Sequence, residues 1–253
     1  MCEFLAAATA IVREAGEIAR PAFGKPTLIN DKGRGDLVFQ TDLEVNRHIC
    51  SRLSRLFPDH GILSEESGED NTSAEHVWIL DPIDGSRYFG GGIPLYSISL
   101  ALQREGDVIL GVVFNPESDQ LFTASGGKGA FLNGEPICCS QKDALKDATV
   151  CMEIPNRHYS RETNRLALGY LAELVDRVER VRIIGVSAIG LCYCATGGFD
   201  LYLNVSTASK LWDLAAGRII LSEAGATVET TANGHIVGGP ERLCKALLQL
   251  LDL

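Results

Sequence analysis

The sequence predicts an α+β chain in which helices and sheets stack in layers. Three observations predict it. Residues 77–132 carry a series of short apolar runs with period-two alternation, separated by turn signals. Residues 163–251 instead alternate helical and strand periods. Both stretches follow two amphipathic segments within the first 57 residues.

The first amphipathic segment spans residues 2–20, where Leu5, Ala8, Ile11, Val12, Ala15 and Ile18 fall on one face at helical spacing. The second covers 42–57, with Val45, Ile49, Leu53 and Leu56 as its apolar stripe, Thr41 or Asp42 as its cap, and Pro58 as its stop. Strands are expected at 77–80, 96–102, 108–114, 121–124 and 130–132. Turns at 104–107, 126–127 and Asn133-Gly134 join them into an antiparallel meander. Further on, helices are expected near 163–178, 187–195 and 211–224, the last stopped by Gly225, with strands at 181–184, 201–204, 227–229 and 236–238. A final helix starts from Pro240. No repeat, low-complexity tract or linker divides the chain, so one domain over 1–253 is expected, which two lobes would divide near 140–150.

The 253 residues are 45% apolar, sufficient for a substantial core, and acidic residues outnumber basic ones 33 to 23. The resulting charge of −10 opposes binding to phosphate backbones and anionic membranes, so neither nucleic acid nor membrane is an expected partner. Glu and Arg interrupt the apolar runs of the first twenty residues, unlike a signal peptide, and a cytoplasmic location is expected. The eight cysteines form no pair of CxxC motifs and read as free, mostly buried thiols.

Carboxylates recur where strands end and helices begin: Asp42 in QTD, Glu65-Glu66 after Ile62-Leu63, Asp81 and Asp84 in WILDPIDGS, and Asp213 in LWDLAAG. Such ends converge on one cleft. Taken singly, Asp213 reads as a helix first-turn carboxylate, Glu65-Glu66 as a solvated loop, and Asp81 with Asp84 as a D-P-x-D turn. In WILDPIDGS, Pro82 is expected to fix a tight turn after the strand, aiming Asp81 and Asp84 the same way and freeing the Ile83 carbonyl. Two carboxylates and a carbonyl form the hard oxygen set that Mg²⁺ prefers, and backbone N–H groups at Gly85 and Ser86 suit a phosphate.

The ordered set Asp36-Leu37-Val38 with Thr41-Asp42, Glu65-Glu66-Ser67, WILDPIDGS over 78–86, Gly111-Val112-Val113 with Asn115-Pro116, WDLAAG over 212–217 and Glu223-Ala224-Gly225 resembles the inositol monophosphatase family over nearly the whole chain. The resemblance implies an α/β/α/β/α sandwich, shared with fructose-1,6-bisphosphatases, with two or three Mg²⁺ ions per site, lithium sensitivity and a homodimer. It casts Glu65, Asp81, the Ile83 carbonyl, Asp84 and Asp213 as metal ligands. Ser86 and Asp42 become the pair that orients and deprotonates the attacking water, with Glu65 as the further catalytic candidate. Substrate contacts fall to Gly85, Ser86, Ser187, Asn204 and Lys210.

Two departures shape the specificity. Ser86 stands where the family usually has Thr, keeping the hydroxyl. Asn204 stands where inositol-preferring members tend to carry Glu, in a longer segment, with Ser187 replacing a small apolar residue and Lys210 suiting a second phosphate. The expected function is therefore Mg²⁺-dependent hydrolysis of a small polyol or sugar phosphate by direct attack of activated water. Alternatives are a fructose-1,6-bisphosphatase or dual-activity enzyme, a 3′-phosphoadenosine 5′-phosphate or histidinol phosphate phosphatase, and a non-enzymatic regulatory protein.

Overall fold

The structure is a computed structural model that describes residues 2–33, 36–155, 159–205 and 209–253. In chain order it begins with helix α1 (Cys2–Ala19), a hairpin of β1 (Leu28–Gly33) and β2 (Asp36–Phe39), and helix α2 (Gln40–Leu56). Strands β3 (Gly61–Ser64), β4 (Gly68–Asp70) and β5 (His76–Asp84) lead to a short helix α3 (Ser86–Gly91). Then come β6 (Ser97–Arg104), β7 (Asp107–Asn115), β8 (Gln120–Ser125), β9 (Ala130–Leu132) and β10 (Glu135–Ile137). The last part holds β11 (Thr149–Glu153), α4 (Arg161–Val175), β12 (Arg180–Arg182), α5 (Ser187–Ala195), β13 (Leu201–Asn204), α6 (Leu211–Glu223), β14 (Thr227–Thr230), β15 (Ile236–Gly239) and α7 (Glu241–Leu251).

Two sheets organise these elements. The larger has eight strands in the order β10-β9-β8-β7-β6-β5-β3-β4, and from β5 to β10 it is the antiparallel meander that the turn spacing predicts. Asn133 and Gly134 both take positive φ, 51° and 85°, at the tight turn between β9 and β10. The smaller sheet runs β12-β11-β13-β15-β14, with β12, β11 and β13 parallel and the other pairings antiparallel.

Period-two alternation then dictates the layers. From β5, Trp78 and Leu80 face α1 and α2, packing with Ile11, Val12, Val45 and Ile49, while Ile79 faces the opposite way onto α5 and α6. In the smaller sheet Cys151 and Tyr202 join that same central layer, whereas Val150, Met152, Leu201 and Leu203 face α4 and α7. The outcome is helix, sheet, helix, sheet, helix: the sandwich that the resemblance implies. Each fully buried aliphatic side chain contributes about 1.5–3 kcal/mol, and all three cores are built from many.

The central helices approach closely because WDLAAG is small. A Cβ on Gly217 would meet Leu191 Cβ at 2.8 Å, and one on Gly111 of β7 would meet the Ala216 carbonyl at 2.7 Å. Cys50, Cys138, Cys139, Cys151, Cys192, Cys194 and Cys244 are free, and all but Cys50 and Cys138 are buried.

Several elements were not expected. The β1–β2 hairpin, β4, β10 and β11 are short or exposed at their edges, and β3 is signalled only by Ile62-Leu63. The expected tight turn after β5 is instead a bulge inside the strand. Asp81 pairs with Ser99 and Asp84 with Ser97, so β5 accommodates one extra residue and continues to Asp84. Pro82, lacking an N–H, fits this interruption of the ladder.

Candidate active site

The bulge in β5 sets the first corner of the site. Asp81, 2% exposed, turns its Oδ1 back to the Ile83 N–H at 3.1 Å. Gly85 follows with φ +94°, and a Cβ there would meet the Leu95 carbonyl at 3.0 Å and Val186 at 3.1 Å, so a glycine is required. Ser86 then opens α3, with Oγ 3.1 Å from the Ile83 carbonyl and 3.4 Å from Asp42 Oδ1. Its single proton serves one acceptor at a time.

Asp42 arrives from α2. As the third residue of that helix it accepts the Phe39 N–H on Oδ2, half of a capping box, which leaves Oδ1 toward Ser86. Asp213 has the same place in α6 and accepts the Lys210 N–H at 2.7 Å. Both carboxylates therefore fulfil the helix first-turn role, and both also act on Asp81 through their charge. Glu65 follows β3, which pairs in parallel with β5, and its N–H donates to the Leu80 carbonyl, bringing it level with Asp81. Asp84 Oδ2 accepts the Ala188 N–H of α5 at 2.9 Å, linking the end of β5 to the start of that helix.

The electrostatics show that these groups converge. Burial raises the Asp81 carboxyl well above its ordinary range, and Glu65, Asp84, Asp213 and Asp42 raise it further. Asp84 is raised by burial and then by Asp213, despite the Ala188 amide. Burial, with Glu66 ahead of Glu65, lifts Asp42 to about 7. Among the described residues no three His, Cys, Asp or Glu side chains close on one point as a ready-made shell. Asp42, Asp81, Asp84 and Asp213 are each turned by one oxygen to a backbone amide. Buried like charges of this kind require protons or a cation, and a carboxylate and carbonyl donor set fits a hard divalent ion.

The other predicted positions form a facing wall. Ser187 begins α5 and hydrogen-bonds the buried Tyr202 hydroxyl, which Asn204 Nδ2 also approaches at 3.5 Å. Asn204 is 1% exposed and also donates to Ser209 Oγ at 2.9 Å. The Lys210 side chain is exposed, so of this residue it is the backbone N–H that is tied to the acidic corner, through Asp213. Residues 206–208, within the segment expected to set specificity, lie outside the described residues.

Sequence reasoning missed Glu153 and Tyr88. Glu153 ends β11, is buried, and is lifted to about 7 by burial against the opposing pull of the Gly185 and Val186 amides. Tyr88 donates its hydroxyl to the Ile184 carbonyl at 2.5 Å, tying α3 to the turn before α5. The apolar run Val150-Cys151-Met152 was the available signal for β11.

The pattern of the inositol monophosphatase family matches residues 1–248. The inositol-1-monophosphatase of Mesorhizobium japonicum is 35% identical over 226 residues, covering 86% of this chain and 84% of that protein. The fructose-1,6-bisphosphatase/inositol-1-monophosphatase of Aquifex aeolicus is 31% identical over 241 residues, covering 93% and 90%. The extragenic suppressor protein SuhB of Bartonella henselae superposes with a TM-score of 0.92 at 30% identity, over 98% of both chains. Sequence and layer order thus agree from end to end: the chain belongs to the inositol monophosphatase family, whose members are generally metal-dependent, and is a phosphoric monoester hydrolase.

Proposed function

We propose that the chain, as one catalytic domain over 1–253, hydrolyses the phosphomonoester of a small polyol or sugar with Mg²⁺. Two or three ions would be held by Glu65, Asp81, the Ile83 carbonyl, Asp84 and Asp213. The observation that carries this reading is the convergence of Asp42, Glu65, Asp84 and Asp213 on the buried Asp81, beside a serine hydroxyl and a glycine turn. When bound, Mg²⁺ supplies charge neutralisation at the phosphate and lowers the pKa of water.

The chain's own residues do the rest. The amides of Gly85 and Ser86 face the phosphate. Ser86 Oγ orients the attacking water, and Asp42, 3.4 Å from Ser86 Oγ, takes its proton. Glu65, on the same side as Asp81, is the second candidate for that proton. Water attacks phosphorus directly, so no phosphoenzyme forms. Ser187 and Asn204 line the side where the alcohol portion sits. A homodimer, lithium sensitivity and a cytoplasmic location accompany this reading; no helix among the described residues is long and apolar enough to cross a membrane.

A second reading, a bisphosphatase or dual-activity enzyme, is favoured by the name of the Aquifex aeolicus relative and by Lys210 at the start of α6. Phosphate release from inositol 1-phosphate and fructose 1,6-bisphosphate, with Mg²⁺ or with EDTA, tests both. Turnover that requires Mg²⁺ is expected. Hydrolysis undiminished in EDTA, or none of either ester, would sink the proposal.

A further inference from the structure

Strands β11 and β13 run in parallel register and end together, Glu153 opposite Asn204. Two residues earlier, Cys151 and Tyr202 face the central helical layer, so alternation sends Glu153 and Asn204 to the same side, toward the start of α5. There the turn at Gly185, φ +68°, directs two successive amides, Gly185 and Val186, onto the Glu153 carboxylate. Oε1 is buried and has no hydrogen-bond partner among the described residues.

A side chain only 7% exposed that keeps one oxygen unpartnered is unusual, because buried acceptors are normally satisfied. Two nearby donors are already committed, the Ala188 amide to Asp84 and the Tyr88 hydroxyl to Ile184, while the Tyr202 hydroxyl oxygen accepts from Asn204 Nδ2. Asp84 lies close enough to raise its own pKa in response to Glu153. The carboxylate therefore stands between the acidic corner and the neutral polar wall. A second phosphate would be repelled there, whereas a hydroxyl, which both donates and accepts, matches the carboxylate and its neutral neighbours.

We infer that Glu153 is a specificity-determining residue whose carboxylate accepts a hydrogen bond from a hydroxyl of the substrate's polyol portion, beside Ser187 and Asn204. This rests on the phosphatase reading above. A buried acceptor left empty by a substrate lacking the hydroxyl discriminates strongly against it.

The test uses the full chain with saturating Mg²⁺ and two esters of one ring skeleton, inositol 1-phosphate and cyclohexyl phosphate. Glu153→Gln keeps the length of the side chain and one oxygen and removes the charged acceptor. Glu153→Asp keeps the charge and withdraws it by one methylene, and decides the matter if the first variant does not fold. In either variant the ratio of kcat/KM for the inositol ester to that for the cyclohexyl ester should fall about tenfold or more, chiefly through KM for inositol 1-phosphate. Equal losses on both esters would make Glu153 a support for the acidic corner, and an unchanged ratio would make it structural; either overturns the inference, as would a wild type that does not distinguish the two esters. Should the wild type hydrolyse neither ester with Mg²⁺, the phosphatase reading fails first and visibly, and the inference falls with it.

Discussion

The acidic corner at the end of β5 and the polar wall at the ends of β11 and β13 meet where Asp84 accepts the Ala188 amide, but they are built by different means. In the corner most carboxylates are held by an amide two or three residues away: Asp42 by Phe39, Asp81 by Ile83, Asp213 by Lys210. In the wall the partners are distant, with Glu153 on the amides of Gly185 and Val186, and Ser187 on Tyr202. Local anchoring lets a short motif carry the reaction chemistry by itself. The wall, by contrast, depends on strand pairing and can change its recognition without disturbing the corner.

The largest expected effect strikes the corner. Asp81→Asn removes the charge that four other carboxylates surround while preserving the bulge, and kcat/KM should fall about 10³-fold or more, roughly 4 kcal/mol. The same change should raise the melting temperature in EDTA, because it relieves like-charge repulsion. More than a few per cent of wild-type activity at saturating Mg²⁺ would remove Asp81 from the centre of the site.

Both regions contribute to a pH effect on the ion-free protein. Asp42 and Glu153 have folded-state pKa values near 7, above 3.8 and 4.5, so the native state keeps protons that the unfolded chain gives up. Their contribution is fully present below about pH 4 and is lost as pH rises through about 7, on the order of 2–4 kcal/mol for each group. Urea denaturation in EDTA between pH 4.5 and 8 should therefore show stability falling with pH. Asp42→Asn and Glu153→Gln should each flatten that slope in part, separating the corner's share from the wall's. Stability that stays level or rises across the window would contradict the burial argument for both.

How much of this was legible beforehand follows the same division. The corner could be read because DPIDGS and WDLAAG hold its chemistry within a few consecutive residues, and because helix first turns at Asp42 and Asp213 announce themselves by position. The bulge was misread as a turn, since Pro82 marks an interruption of the ladder without saying whether the strand resumes. Glu153 was invisible because its strand is five residues long, its partners lie more than thirty residues onward, and a lone glutamate in TVCME gives no sign of burial. Ser187 and Asn204 were found only through the resemblance; their meeting at Tyr202 is a product of tertiary packing.

A smaller effect is expected from the hydroxyl that bridges water and base. Ser86→Ala should lower kcat about 10²-fold, roughly 2.7 kcal/mol, with KM little changed, because the backbone amides that face the phosphate remain. Ser86→Thr should stay close to wild type, as it restores the hydroxyl next to Asp42 and Ile83. A parallel rise in KM would mean that the hydroxyl holds phosphate rather than water, and an unchanged kcat would transfer water activation to Glu65.

The smallest effect belongs to Lys210, at the rim where corner and wall meet. Its backbone N–H is fixed by Asp213, so truncating the side chain leaves the α6 cap in place and isolates the charge. The side chain is exposed, and a screened contact with a distal phosphate is worth at most about 1 kcal/mol, a few-fold in KM. Lys210→Ala should therefore raise KM for fructose 1,6-bisphosphate a few-fold and leave inositol 1-phosphate nearly unaffected, with the difference shrinking as salt is added. Salt supplies the control: a loss of bisphosphate affinity that persists at high ionic strength would point to packing of the lysine stem rather than its charge. Equal effects on both substrates, or none on either, would remove Lys210 from substrate recognition and leave specificity to Glu153, Ser187 and Asn204 alone.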